Sequence, residues 1–149
     1  MNIKIASSDR QIAACYPVMR ELRPDIPEDG FVSRVRVLER SGYQLAFLEA
    51  ADNIVAVAGF RFIENLANGR FLYVDDLVTA SASRSSSFGA KLLAWLKEHA
   101  ATKDCSQLHL DCGIQRKDAH RFYAREAMML IGYHFGYNIP GISAQVGGE

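Results

Sequence analysis

Residues 71–95 read FLYVDDLVTASASRSSSFGAKLLAW. The first nine, FLYVDDLVT, are largely aromatic and β-branched, the composition of a strand. The next eight, ASASRSSS, are small or hydroxyl residues around Arg84, which predicts a polar turn. Phe88, Leu92, Trp95, Leu96 and His99 then recur at helical spacing. A helix start leaves N–H groups without partners and carries partial positive charge, and small residues let a ligand come close to the backbone. The combination suits an anion, phosphate above all. Taken alone, serines at a helix start are more often a simple N-cap, here by Ser85, Ser86 or Ser87.

Outward from this stretch the pattern continues. On its N-terminal side, residues 43–48 alternate and residues 54–63 are apolar on both faces, and a tight turn at Ala51-Asp52-Asn53 joins them. With residues 71–79 they form an antiparallel meander. Upstream lie a short strand at 2–6, a helix-start signal at Ser7-Ser8-Asp9, and helical spacing of Ile12, Cys15, Tyr16, Met19 and Leu22. Pro17 should kink that helix or end its first part. Arg23-Pro24-Asp25-Ile26-Pro27 breaks it, and residues 28–40 form a second helix. On the C-terminal side, a strand at 105–112 implies a parallel pair with a right-handed crossover. A helix at 115–127 and a last strand at 130–139 follow, the latter with Ile131, Tyr133, Phe135 and Tyr137 on one face. The glycine-rich tail after Pro140 is expected to be loose.

Length and composition bound the function. At 149 residues the chain makes one domain, 1–149. The 17 basic and 17 acidic side chains cancel, which argues against a nucleic-acid platform or an electrostatic membrane tether. MNIKIASSDR has no apolar core of a signal peptide, and no run is long enough for a membrane helix. Cys15, Cys105 and Cys112 read as reduced thiols of a cytoplasmic protein. The four histidines show no metal-ligand spacing, so no metal is expected. His109 and Asp111 share a strand face, a weak acid–base suggestion.

Two motifs carry more. Arg84-Ser85-Ser86-Ser87-Phe88-Gly89-Ala90 resembles the arginine/glutamine-x-x-glycine-x-glycine/alanine signature of the GNAT (GCN5-related N-acetyltransferase) superfamily, with Ser87 at the first glycine. Asp118-Ala119-His120-Arg121-Phe122-Tyr123 resembles that family's asparagine-x-x-alanine-x-x-phenylalanine-tyrosine. The glycine-aromatic pair common after the second motif is replaced by Ala127-Met128-Met129. The resemblance covers nearly the whole chain. It implies an α/β (α+β in some schemes) GNAT fold: a mixed central sheet of about six to seven strands flanked by about four helices, in the order β-α-α-β-β-β-α-β-α-β.

The resemblance also implies a chemistry. The backbones of Leu77, Val78 and Thr79 would pair with the pantetheine arm of acetyl-CoA, in a gap between parallel strands. Residues Arg84, Ser85, Ser86, Ser87, Phe88, Gly89 and Ala90 would surround its pyrophosphate, and Asp118 would contact the cofactor. Tyr123 would be the general acid for the leaving thiolate, a task that a phenol with a pKa of about 10 suits. Asp75 would be the general base, with Asp76 in reserve; as strand neighbours the two are expected to point to opposite faces.

The implied activity is N-acetylation of a primary amine by direct attack. A protein amine is the alternative acceptor, and an inactive acyl-CoA-binding module or a purely structural domain are the alternatives outside catalysis. A homodimer through Tyr133, Phe135 and Tyr137 is a further expectation from the family.

Overall fold

The computed structural model describes residues 2–144. Its order is β1 (Asn2–Ile5), α1 (Asp9–Leu22), α2 (Phe31–Glu39), β2 (Gln44–Ala50), β3 (Asn53–Asn65), β4 (Gly69–Thr79), a 3₁₀ turn (Ser81–Ser86), α3 (Phe88–Thr102), β5 (Gln107–Leu110) and α4 (Lys117–Arg125). The five strands form one sheet in sequence order. Every pair is antiparallel except β4 and β5, which are parallel across the α3 crossover.

The sheet separates two cores. On one face Tyr43, Leu45, Phe47, Val57 and Val78 pack with Ile12, Cys15, Tyr16 and Met19 of α1 and Phe31 and Val35 of α2. On the other, Leu48, Ala58, Phe60, Leu72 and Val74 pack with Leu92, Leu93 and Leu96 of α3, and Phe122 and Tyr123 of α4 close the edge. Burying both faces is what makes β3 read as a continuous apolar run.

Local chemistry sets the boundaries. Ser8 accepts from the Gln11 amide while the Gln11 side chain returns to the Ser8 N–H, a complete capping box for α1. Ala51 and Asp52 both have positive φ, 51° and 64°, the primed turn that matches strand twist.

The structure departs from expectation at three points. Pro17 does not end α1, which runs on from Asp9 to Leu22. The apolar side chains buried on either side, Tyr16 and Val18 among them, outweigh the single backbone bond the proline removes. The helix α2 begins at Phe31, behind Gly30 at φ 93°, three residues later than expected. The last strand is absent: residues 130–139 form no strand, and Tyr133, Phe135 and Tyr137 are exposed. Alternation alone makes no strand without a partner ladder, and β5 offers an edge only four residues long. The described sheet therefore has five strands rather than six to seven. Of the tail after Pro140, residues 141–144 are irregular and 145–149 lie outside the described residues.

Candidate functional site

The site begins with a one-residue irregularity in β4. Gly59 pairs with Asp76, but the next residue of β3, Phe60, pairs with Val74. Asp75 is thus the extra residue of a β-bulge. The bulge resets the alternation. Leu72 and Val74 face α3 before it, and Leu77 faces α3 after it, while Val78 faces α1.

Asp75 and Asp76 therefore do not point to opposite faces, as strict strand alternation predicted. Asp75 Oδ2 accepts from Arg61 Nε at 3.0 Å and from its terminal nitrogen at 2.5 Å. The Arg61 guanidinium lies 5.8 Å from the centre of the Tyr43 ring. The Tyr43 hydroxyl donates to Asp76 Oδ2 at 2.8 Å, and Arg23 Nε donates to Asp76 Oδ1 at 2.8 Å. A second Arg23 nitrogen donates to the Asp75 carbonyl at 3.0 Å. Both aspartates thus belong to one polar cluster. Burial raises the Asp75 pKa above the ordinary carboxylate value, opposed by Arg61. Burial, followed by the Asp76 charge, raises that of Tyr43.

At the bulge the sheet opens. The strand β5 pairs with β4 only from Phe71 to Val74, whereas β3 accompanies β4 to Thr79. Beyond Val74 one edge of β4 has no strand partner among the described residues. A cleft of about 840 Å³ fills the wedge, within the usual range for small-molecule sites. Its walls are Leu77, Val78 and Thr79 of β4, the entry to α3, one side of α4, and Glu21 and Leu22 at the end of α1.

The entry to α3 is shaped for an anion. Ser87 stands at the N-cap with φ 62° and ψ 21°, and no side chain caps the helix. The serines of 85–87 are therefore not serving as caps. The position requires a left-handed backbone, which is why glycine suits it and why a short polar residue can replace it. Lys91 N–H is the one that reaches back to the Ser87 carbonyl, at 3.1 Å, so the amides before it remain for a ligand. Gly89 has a packing reason of its own: a Cβ there would lie 2.9 Å from Thr79 Oγ1. Arg84 lies 3.7 Å from Glu21, whose carboxylate also accepts from the Ser81 N–H at 3.0 Å.

Of the residues singled out from sequence, Leu77, Val78, Thr79, Arg84, Ser87, Gly89, Ala90, Asp118 and Tyr123 line the cleft, and Asp75 and Asp76 lie outside its lining. Ser85 and Ser86 lie exposed in the 3₁₀ turn, and Phe88 packs into the α3 core. Asp118 is paired with Arg121. Tyr123 is half-buried against Phe122, with ring centroids 5.2 Å apart. Burial first, then the nearby Cys112 thiol, raises its pKa, so the phenol keeps its proton over a wider range. His109 and Asp111 do not pair. His109 meets Gln107 at 2.8 Å, while Asp111 accepts from the Tyr73 hydroxyl.

Glu21, Arg116, Lys117 and Arg125, which lie outside both motifs, also line the cleft. Its basic side chains, Arg84, Arg116, Lys117 and Arg125, fit a polyanionic ligand such as coenzyme A. The arginine-lysine pair just before α4 and the arginine at its last turn were the available signal.

The splay of β4 from β5 and the uncapped start of α3 thus meet in one cleft. The profile of the acetyltransferase (GNAT) family matches residues 11–127, and the chain belongs to that family. It is 32% identical over 124 residues to the uncharacterized N-acetyltransferase YhdJ of Bacillus subtilis, spanning 83% of this chain and 87% of that protein. It is 36% identical over 62 residues to the aminoalkylphosphonate N-acetyltransferase of Salmonella typhimurium, 42% of this chain and 40% of that one. The aminoglycoside N-acetyltransferase AAC(6')-Iy in complex with CoA shares the fold, with a TM-score of 0.79 at 12% identity, over 93% of this chain and 95% of that chain. No helix among the described residues is long and apolar enough to cross a membrane.

Proposed function

We propose that this chain transfers an acetyl group from acetyl-CoA to the primary amine of a small molecule. The observation that carries the reading is the cleft itself. It joins the unpaired edge of β4 to the uncapped start of α3, and Tyr123 stands on its opposite wall. The backbones of Leu77, Val78 and Thr79 hold the pantetheine arm, and an N–H of Leu77 or Val78 meets the developing oxyanion. Arg84, Ser85, Ser86, Ser87, Phe88, Gly89 and Ala90 surround the pyrophosphate through main-chain N–H groups, and Asp118 adds a contact on the α4 side.

Asp75 takes the ammonium proton, directly or through a water. Both of its bonds from Arg61 go to Oδ2, which leaves Oδ1 open for that task. Its raised pKa makes it a better base than an ordinary carboxylate. The amine attacks the thioester carbonyl, and the carbon–sulfur bond breaks. Tyr123 protonates the departing thiolate.

A small amine is favoured over a protein amine by the 36% identity over 62 residues to the aminoalkylphosphonate N-acetyltransferase. The reading places the protein in the cytoplasm, in keeping with its free cysteines. It includes a homodimer through the exposed Tyr133, Phe135 and Tyr137, which a monomeric mass at micromolar concentration in size-exclusion chromatography would remove.

Calorimetric titration with acetyl-CoA and with free coenzyme A tests the reading, followed by thiol release against a panel of amines. Saturable binding and amine-dependent thiol release support it. Absence of binding at millimolar donor rejects it.

A further inference from the structure

Two side chains from the last turn of α1 grip opposite ends of the β4 segment that walls the cleft. Arg23, at the C-cap, reaches the bulge, with 2.8 Å to the Asp76 carboxylate and 3.0 Å to the Asp75 carbonyl. Glu21 reaches the other way, accepting from the Ser81 N–H at 3.0 Å with Arg84 at 3.7 Å. Positions 76 and 81 are separated by roughly 16 Å of extended chain, yet both are held from a single helical turn. The helix cannot slide, because Ile12, Cys15 and Met19 are fully packed into the core beneath it. Ala80 N–H adds a third point of attachment, at 2.8 Å from the Val55 carbonyl.

We propose that the last turn of α1 is a positioning bracket. Arg23 and Glu21 fix the spacing between the bulge and the anion-binding turn, and thereby the register in which residues 77–79 meet the acyl donor. The inference rests on the acetyltransferase reading. Arg23 acts on the reacting end. Its planar fork serves a carboxylate and a carbonyl at once, which holds the bulge and the backbone N–H groups just after it. Glu21 acts on the phosphate end, since the Ser81 amide opens the 3₁₀ turn that leads into α3. The two residues should therefore affect different constants. A carboxylate facing the phosphate region would ordinarily weaken anion binding. Here that charge is offset by Arg84, and the accepting oxygen is the part that matters.

The test uses the full chain and reads donor affinity by calorimetry, kcat and KM by thiol release with an amine the wild type accepts, and the melting temperature. Glu21→Ala should raise Kd and KM for acetyl-CoA about tenfold with kcat nearly unchanged. Glu21→Gln keeps an accepting oxygen and should restore wild-type affinity. Arg23→Gln should lower kcat about 10- to 100-fold at nearly constant donor affinity. Arg23→Lys should recover only part, because one ammonium does not reproduce the fork. If Arg23→Gln fails to fold, Tyr43→Phe removes the other bond to Asp76 and should lower kcat with the same signature.

Variants that lower only the melting temperature, or that reduce affinity and kcat in proportion, overturn the bracket. So does a Glu21→Ala protein that binds the donor as tightly as wild type. If the wild type binds no acetyl-CoA, the acetyltransferase reading falls and the bracket falls with it. A normal wild type with unaffected variants rejects the bracket alone.

Discussion

The Tyr43 hydroxyl donates a 2.8 Å hydrogen bond to Asp76 across the ground that a side chain at Gly59 would occupy. A Cβ at Gly59 would clash with the Tyr43 hydroxyl and lie 2.6 Å from Asp76 Oδ2. Gly59 is paired with Asp76 and sits directly opposite the bulge. Absence of a side chain in β3 is thus a condition for the polar cluster on β4.

Gly59→Ala should therefore cost about 2–4 kcal/mol of stability, since the clash is with a packed ring and a held carboxylate rather than a flexible chain end. In a Tyr43→Ala background the added cost should be smaller, because part of the clash is gone. Urea unfolding of the four proteins of this cycle measures the difference. Strict additivity would count against the account.

Ser87 predicts a gain. A non-glycine residue at φ 62° costs about 1 kcal/mol relative to glycine, partly offset by the extra freedom glycine brings to the unfolded chain. Ser87→Gly should raise the melting temperature by a few degrees while acetyl-CoA affinity stays the same or tightens. Ser87→Val should lower both.

Tyr123→Phe should lower kcat about 10²- to 10⁴-fold, the range for removal of a general acid, with donor affinity largely retained. Calorimetry and thiol release on the same preparation separate the two. Equal losses in both would assign the ring to binding rather than to proton transfer.

The acid limb of kcat/KM follows Asp75 in the proposed mechanism. Burial places its pKa above the ordinary carboxylate value and Arg61 pulls it down, so the base is lost as pH falls through a pKa above about 3.8. Arg61→Gln removes the opposing charge and should move the acid limb to higher pH. A limb that stays in place would separate Asp75 from the base role.

His99 gives a prediction independent of catalysis. It stacks on Trp95, the single tryptophan, at 4.7 Å and 9°, and Phe60 and Phe62 complete its surroundings. Its Nε2 is buried without a hydrogen-bond partner among the described residues, and burial lowers its pKa below 6.5. The unfolded chain therefore binds the proton first as pH falls. Stability should decline from about pH 6.5 downward until the folded-state pKa is reached. Trp95 fluorescence should titrate with a midpoint below 6.5, and His99→Leu should flatten both curves.

Much of the fold is written in local pattern. The strand-turn-helix of 71–95, the spacing of Ile12, Cys15, Tyr16 and Met19, and the capping box at Ser8 each follow from a few neighbouring residues. The candidate site is legible where a motif is contiguous, as at Arg84–Ala90 and Asp118–Tyr123. It is illegible where the geometry depends on one inserted residue or on a partner far along the chain. Nothing in VDDL distinguishes a bulge from a regular strand, and Glu21 meets Ser81 across sixty residues. Residues 130–139 are the converse case: a clear alternation that, without a neighbouring ladder, gives no strand.

The bulge at Asp75 is the one place in β4 where a residue stands outside the ladder count. Exchange of Asp75 for another side chain alters one proton acceptor and leaves the strand in register. Loss of its codon would join Val74 directly to Asp76 and leave a regular ladder, with Leu77 still facing α3 and Val78 still facing α1. What would go is the carboxylate that Arg61 holds. Among homologous sequences, a single-residue gap at this point should thus be tolerated by the fold, whereas one elsewhere in β4 should be rare.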